Sequence, residues 1–167
     1  MGATPIDPSL RQTAQTTYSS HYAMQLIQHT GAHWCVSLPE DWTFQRETGA
    51  GAAYYEAADS SAGLYIAVWN IHTTQRDIQE VLSDFSDDAI AGLNDLAEHR
   101  WSHQSVPLGE GDLLLDSQEA EYHHRVLRRI IAELPLVLNA SFHDYAFADV
   151  PQSNARLGAL LQSLRLT

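Results

Sequence analysis

Histidine pairs are the first candidates for chemistry in this sequence, which contains nine histidines. His29 and His33, and again His99 and His103, are four residues apart, the spacing that places two metal ligands on one helical face. Neither pair includes the glutamate of a His-Glu-x-x-His site. The first pair brackets a glycine turn, and the second runs past the end of a predicted helix. We therefore keep His99 and His103 only as residual metal-ligand candidates and expect no metal and no other cofactor.

Nucleophiles and paired carboxylates give no better catalytic site. Cys35 lies within a predicted strand, where a buried cysteine usually serves as a small apolar residue. The sequence contains no Gly-x-Ser-x-Gly motif of a nucleophile elbow. Asp84, Asp87 and Asp88 can pair for acid–base work, but on an acidic helix face such residues more often form a solvated surface. We expect that the protein is not an enzyme.

Arg125, Arg128 and Arg129 form the densest cluster of basic residues. Arginine binds carboxylates bidentately, so the cluster can grip an acidic groove or a substrate carboxylate. The alternative is cross-strand pairing with Glu119 or Glu121 and with the acidic helix, which we prefer. The three arginines are nevertheless candidate partner-binding residues.

Tryptophans supply the large apolar anchors that often dominate protein interfaces. Trp101 lies in the polar run His-Arg-Trp-Ser-His and is the best candidate for an exposed contact residue. Trp42 follows a Leu-Pro-Glu-Asp turn and can fold over the end of the core; it is a second partner-binding candidate. Trp69 belongs to an apolar strand and is predicted to lie in the core.

Composition narrows the class of protein. The chain has 167 residues, the size of one ordinary domain, and a net charge of -12 with every basic residue an arginine. This charge repels phosphate backbones and anionic membranes, so we expect neither nucleic acid nor membrane as a partner. A single cysteine excludes an intrachain disulfide. The start lacks the pattern of a secretory signal, and no apolar run approaches a membrane span, so we expect a cytoplasmic location.

The first half of the chain predicts strands. Residues 63–71 are apolar at both alternating sets of positions, which indicates a central strand covered on both faces. Residues 22–27 and 34–38 predict a hairpin, the alternative for the former being a short helix capped by Ser20 and stopped by Gly31. Residues 1–20 are polar and aperiodic and are interpreted as a flexible arm before one domain, 21–167.

The longest helical pattern follows the central strand. Thr74 is a candidate cap with Asp77 three residues later, and Ser86 can restart a second helix, so the segment is one bent helix or two. His99 and Arg100 suit its C-terminal end. Its apolar residues recur at three and four positions: Ile78, Val81, Leu82, Phe85, Ala89, Leu93 and Leu96.

The second half predicts three extended runs at 113–115, 119–132 and 136–142, after a loop at 107–111. Glu133-Leu-Pro135 joins the last two runs as a hairpin. A final helix begins near Pro151 or Ser153 and carries Leu157, Leu160, Leu161 and Leu164 at helical spacing. The order of strands, helix, strands and helix predicts an α+β fold, an antiparallel sheet with helices packed on its faces.

This succession of elements resembles the PsbP-like fold, an α/β/α sandwich. The matching segments are 22–26, 36–42, 64–68, 137–145 and 160–164. Members include the photosystem extrinsic subunit, a Ran-binding import factor and bacterial DcrB-like proteins. The pattern is most similar to bacterial cytoplasmic adaptor chaperones of type VI secretion effectors. The resemblance implies a binding role without catalysis.

We therefore expect a cytoplasmic adaptor, chaperone or immunity-type protein that holds a protein partner, such as a secreted effector, on one sheet face or edge, as a homodimer. One alternative is a small-molecule-binding module with an apolar pocket between sheet and helix. The other is a histidine-dependent metal or hydrolytic enzyme.

Overall fold

A computed structural model describes residues 25–47, 52–95, 100–119, 121 and 123–167. The predicted arm and the candidate ligand His99 lie outside the described residues. Within these ranges the first strands are β1 (Leu26–Thr30), β2 (Trp34–Pro39), β3 (Thr43–Glu47), β4 (Ala53–Glu56) and β5 (Ala62–Asn70). Helix α1 (Ile78–Asn94) follows, and then β6 (Ser102–Gly109), β7 (Asp112–Glu119), β8 (His124–Glu133), β9 (Leu136–Asp144), α2 (Val150–Ser163) and β10 (Arg165–Leu166).

The larger sheet has seven antiparallel strands in the order β3-β4-β5-β9-β8-β7-β6. Strands β8 and β9 form the predicted hairpin, in which Glu133 pairs with Leu136 around the Leu134-Pro135 corner. Strand β5 pairs with β4 and β9, as expected for a strand inside the sheet. The α+β fold with an antiparallel sheet is therefore confirmed.

The smaller sheet has the order β1-β2-β10. Its β1–β2 pair is the predicted N-terminal hairpin, although the strand begins at Leu26, and Tyr22 lies outside the described residues. At the turn the Gly31 N–H donates to the Trp34 carbonyl at 2.9 Å. A Cβ on Gly31 would lie 2.1 Å from the Trp34 indole nitrogen, so any side chain at this position would displace the indole ring.

Helix α1 is one continuous helix. Asp77, not Thr74, is its N-cap, and its carboxylate accepts the Glu80 N–H at 3.1 Å. Ser86 is buried within the helix and starts no second one. The helix ends at Asn94, so Arg100 does not lie in its last turn, which contains no basic residue.

Helix α2 begins where the sequence predicts. Asp149 is its N-cap and accepts the Gln152 N–H at 2.9 Å, and Pro151 lies in the first turn. The predicted apolar face is buried, with Leu157, Leu160 and Leu161 facing the sheet.

The two helices cover opposite faces of the larger sheet. Adjacent residues of a strand point to opposite faces. Leu138 of β9 packs with the leucines of α2, whereas its neighbour Val137 packs with Val81 and Leu82 of α1. Trp42 closes one end of the α2 side, buried against Phe142 as predicted, with 6.3 Å between the ring centroids. The result is an α/β/α sandwich in which α1 and α2 each cover part of a face.

Several local predictions are wrong. Strand β6 extends to Gly109, so only 110 and 111 of the predicted loop at 107–111 form a turn, and the terminal strand β10 was not predicted. The predicted extended run at 119–132 is not one strand, because His123 within it lies in the turn before β8, with φ 53°. Trp69, predicted to lie in the core, is 49% exposed, because α1 packs mainly on β8 and β7 and not on β5. Among the described residues, no helix is long and apolar enough to cross a membrane.

Candidate partner-binding groove beside helix α1

The three arginines of β8 divide between the two faces of the sheet. Arg125 Nε and Nη2 donate to the two carboxylate oxygens of Asp116 at 2.9 and 2.7 Å, and Arg129 bonds Asp112 in the same way at 3.0 and 2.7 Å. Both arginines also reach α2, because Arg125 donates to Asn154 and Arg129 to the Leu161 carbonyl. Cross-strand pairing is thus present, with aspartates of β7 as partners instead of Glu119 or Glu121.

Arg128 points to the opposite face, under α1, and its environment differs. Its Nη1 donates to Asn139 Oδ1 at 3.0 Å, while its buried Nε has no hydrogen-bond partner among the described residues. No ion pair joins it to a carboxylate of the described residues. Burial lowers the pKa of Arg128, yet an arginine remains charged at neutral pH. Arg128 is therefore a mostly buried cation that has no counter-ion among the residues the structure describes.

Arg128 lies at a groove between α1 and strands β5 and β9. The groove has a volume of about 430 Å³. A Cβ on Gly92 would meet no atom within 4 Å, so this glycine leaves the groove open on the helix side. The lining residues, which we call the α1 groove, are Trp69, Phe85, Asp88, Ala89, Gly92, Leu93, Arg128 and Asn139.

Beside the α1 groove the same sheet face carries stacked imidazole and phenol rings. His124 Nε2 and His143 Nδ1 are hydrogen-bonded at 3.1 Å, and Tyr145 stacks on His143 at 5.6 Å between centroids. Burial, followed by the charges of His124 and Arg128, lowers the pKa of His143 to about 3. A histidine that is neutral throughout the physiological range is a poor general base, because efficient bases titrate near the working pH.

The histidine candidates for metal binding are not arranged as on a helix. His103 lies in β6, where its Nδ1 contacts Ser117 Oγ at 2.7 Å and its Nε2 contacts Asn94 Oδ1 at 3.0 Å. Both ring nitrogens therefore have protein partners, and burial lowers the pKa of His103. His29 lies in β1, so its spacing to His33 has no helical meaning either. Within the described ranges, no three His, Cys, Asp or Glu side chains come together as a metal site.

The structure separates the predicted contact residues. Trp42 is buried, and half-buried Trp101 lies against the His124 ring at 5.0 Å between centroids. Of the arginines, only Arg128 reaches the α1 groove. Sequence reasoning missed the exposure of Trp69. The separation of the arginines could have been predicted. Arg125 and Arg128 are three residues apart, and an odd spacing in a strand places two side chains on opposite faces.

Comparisons with known proteins give the fold. No protein-family model and no curated protein matches the sequence. Several solved structures match in shape, among them the following three. Cyanobacterial PsbP (CyanoP) from Synechocystis sp. PCC 6803 has a TM-score of 0.63 at 9% identity, over 86% of this chain and 94% of that one. The Saccharomyces cerevisiae Ran-binding protein Mog1p has a TM-score of 0.59 at 10% identity, over 86% and 96%.

The third is a protein of Bacteroides thetaiotaomicron, with a TM-score of 0.51 at 12% identity, over 86% of this chain and 48% of that one. Identities this low carry information about architecture alone. The two full-length likenesses agree with the two-faced sandwich described above, and the protein has the PsbP-like fold.

Proposed function

We propose that the protein is a non-enzymatic, cytoplasmic protein-binding module that takes a segment of its partner into the α1 groove. The observation that carries this proposal is Trp69, which is 49% exposed at a groove also lined by Phe85 and Leu93. Exposed aromatic residues beside a concave apolar surface are typical anchors of protein interfaces.

Two further features support a binding role over catalysis. Burial lowers the pKa of the mostly buried His143 to about 3, which makes this histidine a poor acid–base catalyst near neutral pH. Mog1p, which shares the fold, is by its description a Ran-binding protein. At 10% identity this supports protein binding as a use of the fold, with a different partner for this chain.

The finer proposal is an adaptor or chaperone whose partner is a secreted effector, as in the type VI secretion adaptors that the sequence pattern resembles. We also propose a homodimer. Light scattering behind a sizing column tests this part, with twice 18.6 kDa expected and the monomer mass as the contrary result.

The test of protein binding uses the tagged full chain to capture proteins from a lysate of its source organism. The Trp69→Ala variant removes the anchor, and Phe44→Ala serves as the matched control, because Phe44 is 54% exposed on the edge strand β3. We expect one product to bind the wild type and the control but not Trp69→Ala. The product is then purified and the binding measured again in isolation. Equal capture by all three chains would refute the proposal.

A small-molecule-binding module is the second candidate, because about 430 Å³ lies within the usual range of ligand pockets. Native mass spectrometry of the purified protein distinguishes the two. A stoichiometric small-molecule adduct that is lost in Trp69→Ala favours this candidate.

A further inference from the structure

We infer that Arg128 is a receptor for a single carboxylate, and that the α1 groove binds the C-terminal residue of a partner chain when that residue is apolar. This inference rests on the proposed function, because it names the part of the partner that the groove takes. It is carried by the difference between Arg128 and the two other arginines of the same strand.

The first step is the missing counter-ion. Arg125 and Arg129 each place two nitrogens on one carboxylate, within 2.7–3.0 Å. Within the described part of the chain, Arg128 has a single amide oxygen as acceptor, and its Nε is buried without one. A buried charge that lacks a partner is costly, so such groups are normally paired. An anion bound to the terminal guanidinium nitrogens of Arg128 would supply the missing counter-charge, while Nε stays buried.

The second step is access. Arg128 lines the same groove as Trp69 and Gly92, and Asn139, which accepts from its Nη1, lines it too, so we infer that an anion in the groove can reach the terminal nitrogens. A guanidinium has five N–H donors in a planar fork, and Asn139 occupies one nitrogen. The fork matches the two oxygens of a carboxylate, which it binds bidentately.

The third step is the kind of anion. The chain has a net charge of -12, and Asp88 lines the groove, so a multiply charged phosphate would be repelled. A single carboxylate attached to an apolar group fits both Arg128 and the surface formed by Phe85 and Leu93. A C-terminal apolar residue carries both on one carbon atom. A groove of the size of a small-molecule pocket also suits the end of a chain better than a continuous helix.

The experiment titrates N-acetyl-leucine and N-acetyl-leucinamide into the ¹⁵N-labelled full chain. The two probes share a side chain and differ in the carboxylate. Binding is followed by the indole N–H signal of Trp69 and the amide signal of Gly92. We expect the acid to bind at least about tenfold more tightly than the amide, as for a charge-assisted bidentate pair. Asp88→Asn should strengthen binding of the acid severalfold, because it removes a rival carboxylate from the groove.

Variants of Arg128 give the decisive comparison. Arg128→Met should bind acid and amide equally, while Arg128→Lys should retain part of the preference, because a lysine keeps the charge but not the fork. Equal binding of both probes by the wild type, or a preference that survives in Arg128→Met, would overturn the inference. A blocked Leu-Asp dipeptide amide carries its only carboxylate on a side chain; if it bound more tightly than N-acetyl-leucine, the C-terminal assignment would be wrong.

The two proposals fail in different ways. If captured partner is lost in Trp69→Ala but fully retained in Arg128→Met, protein binding stands and the carboxylate receptor is refuted. If the wild type prefers the acid and Arg128→Met does not, while capture is insensitive to Trp69, the receptor stands as a small-carboxylate site and protein binding is refuted.

Discussion

Replacing Arg125 and Arg128 in turn by methionine compares a paired buried charge with an unpaired one in the same strand. Methionine keeps most of the aliphatic stem, so the packing volume changes little. The Arg125 side chain is 3% exposed and that of Asp116 is 14% exposed. Arg125→Met leaves the Asp116 carboxylate buried without its partner, a loss of about 3–5 kcal/mol in the free energy of unfolding.

Arg128→Met removes one hydrogen bond to Asn139, worth about 1 kcal/mol. It also removes a mostly buried charge that has no counter-ion, and relief of this kind is often neutral or stabilising. We therefore expect the free energy of unfolding to stay unchanged or to rise by up to about 2 kcal/mol. Only Arg125→Met should thus destabilise the protein, although the substitution is the same.

Urea unfolding at pH 7 measures both values, and equal m-values show that the unfolded states are comparable. Arg129→Met is the matched control for pairing, because Arg129 bonds Asp112 with the geometry seen at Arg125. It should also destabilise, but less, since its side chain is 15% exposed. A loss above about 2 kcal/mol in Arg128→Met would show that this charge is compensated in the folded protein and would refute the reasoning.

Three further predictions concern the helices and the imidazole cluster. Gly92→Leu and Gly158→Leu each place a side chain in open space on a helix, so each should stabilise the helix by about 0.5–1 kcal/mol. Only Gly92→Leu should abolish partner capture and N-acetyl-leucine binding, because only Gly92 lines the α1 groove. The pKa of His143 lies near 3 in the folded protein and near 6.5 in the unfolded chain, so the unfolded state binds more protons between these values. The free energy of unfolding, measured by urea titration, should therefore fall as the pH drops from 7 to 5. His143→Phe should reduce this pH dependence by up to about 1.4 kcal/mol per pH unit. An unchanged pH dependence in the variant would contradict the burial of His143. Asp77→Ala should cost about 0.5–2 kcal/mol in the same assay and Thr74→Ala almost nothing, whereas the reverse order would place the cap at Thr74.

The spacing of apolar residues predicted the helices and strands that have one buried face and one exposed face. The leucines of α2 repeat at three and four positions because one face of that helix packs on the sheet, and the predicted face is the buried one. Strand β6 shows no such pattern, because most of Ser102–Gly109 is exposed and backbone pairing with β7 holds it in place. A strand at the edge of a sheet therefore escaped prediction.

The candidate groove was only partly predictable. Arg128 was among the predicted contact residues, but its lack of a carboxylate depends on the register of β7, which places Asp112 and Asp116 on the other face. The exposure of Trp69 depends on which strands of the sheet α1 covers. Alternation shows which residues share a face and not how far a helix covers that face.

The ion pairs under α2 also bear on how the sequence can change over time. A single substitution at Arg125 or Asp116 leaves the other charge without its ion-pair partner, so we expect these two positions to change together. Trp69, Gly92 and Leu93 offer surface without such bonds, and each can mutate independently. Lineages descended from this chain can accordingly acquire new binding preferences on one side of the sheet while the opposite side keeps the architecture intact.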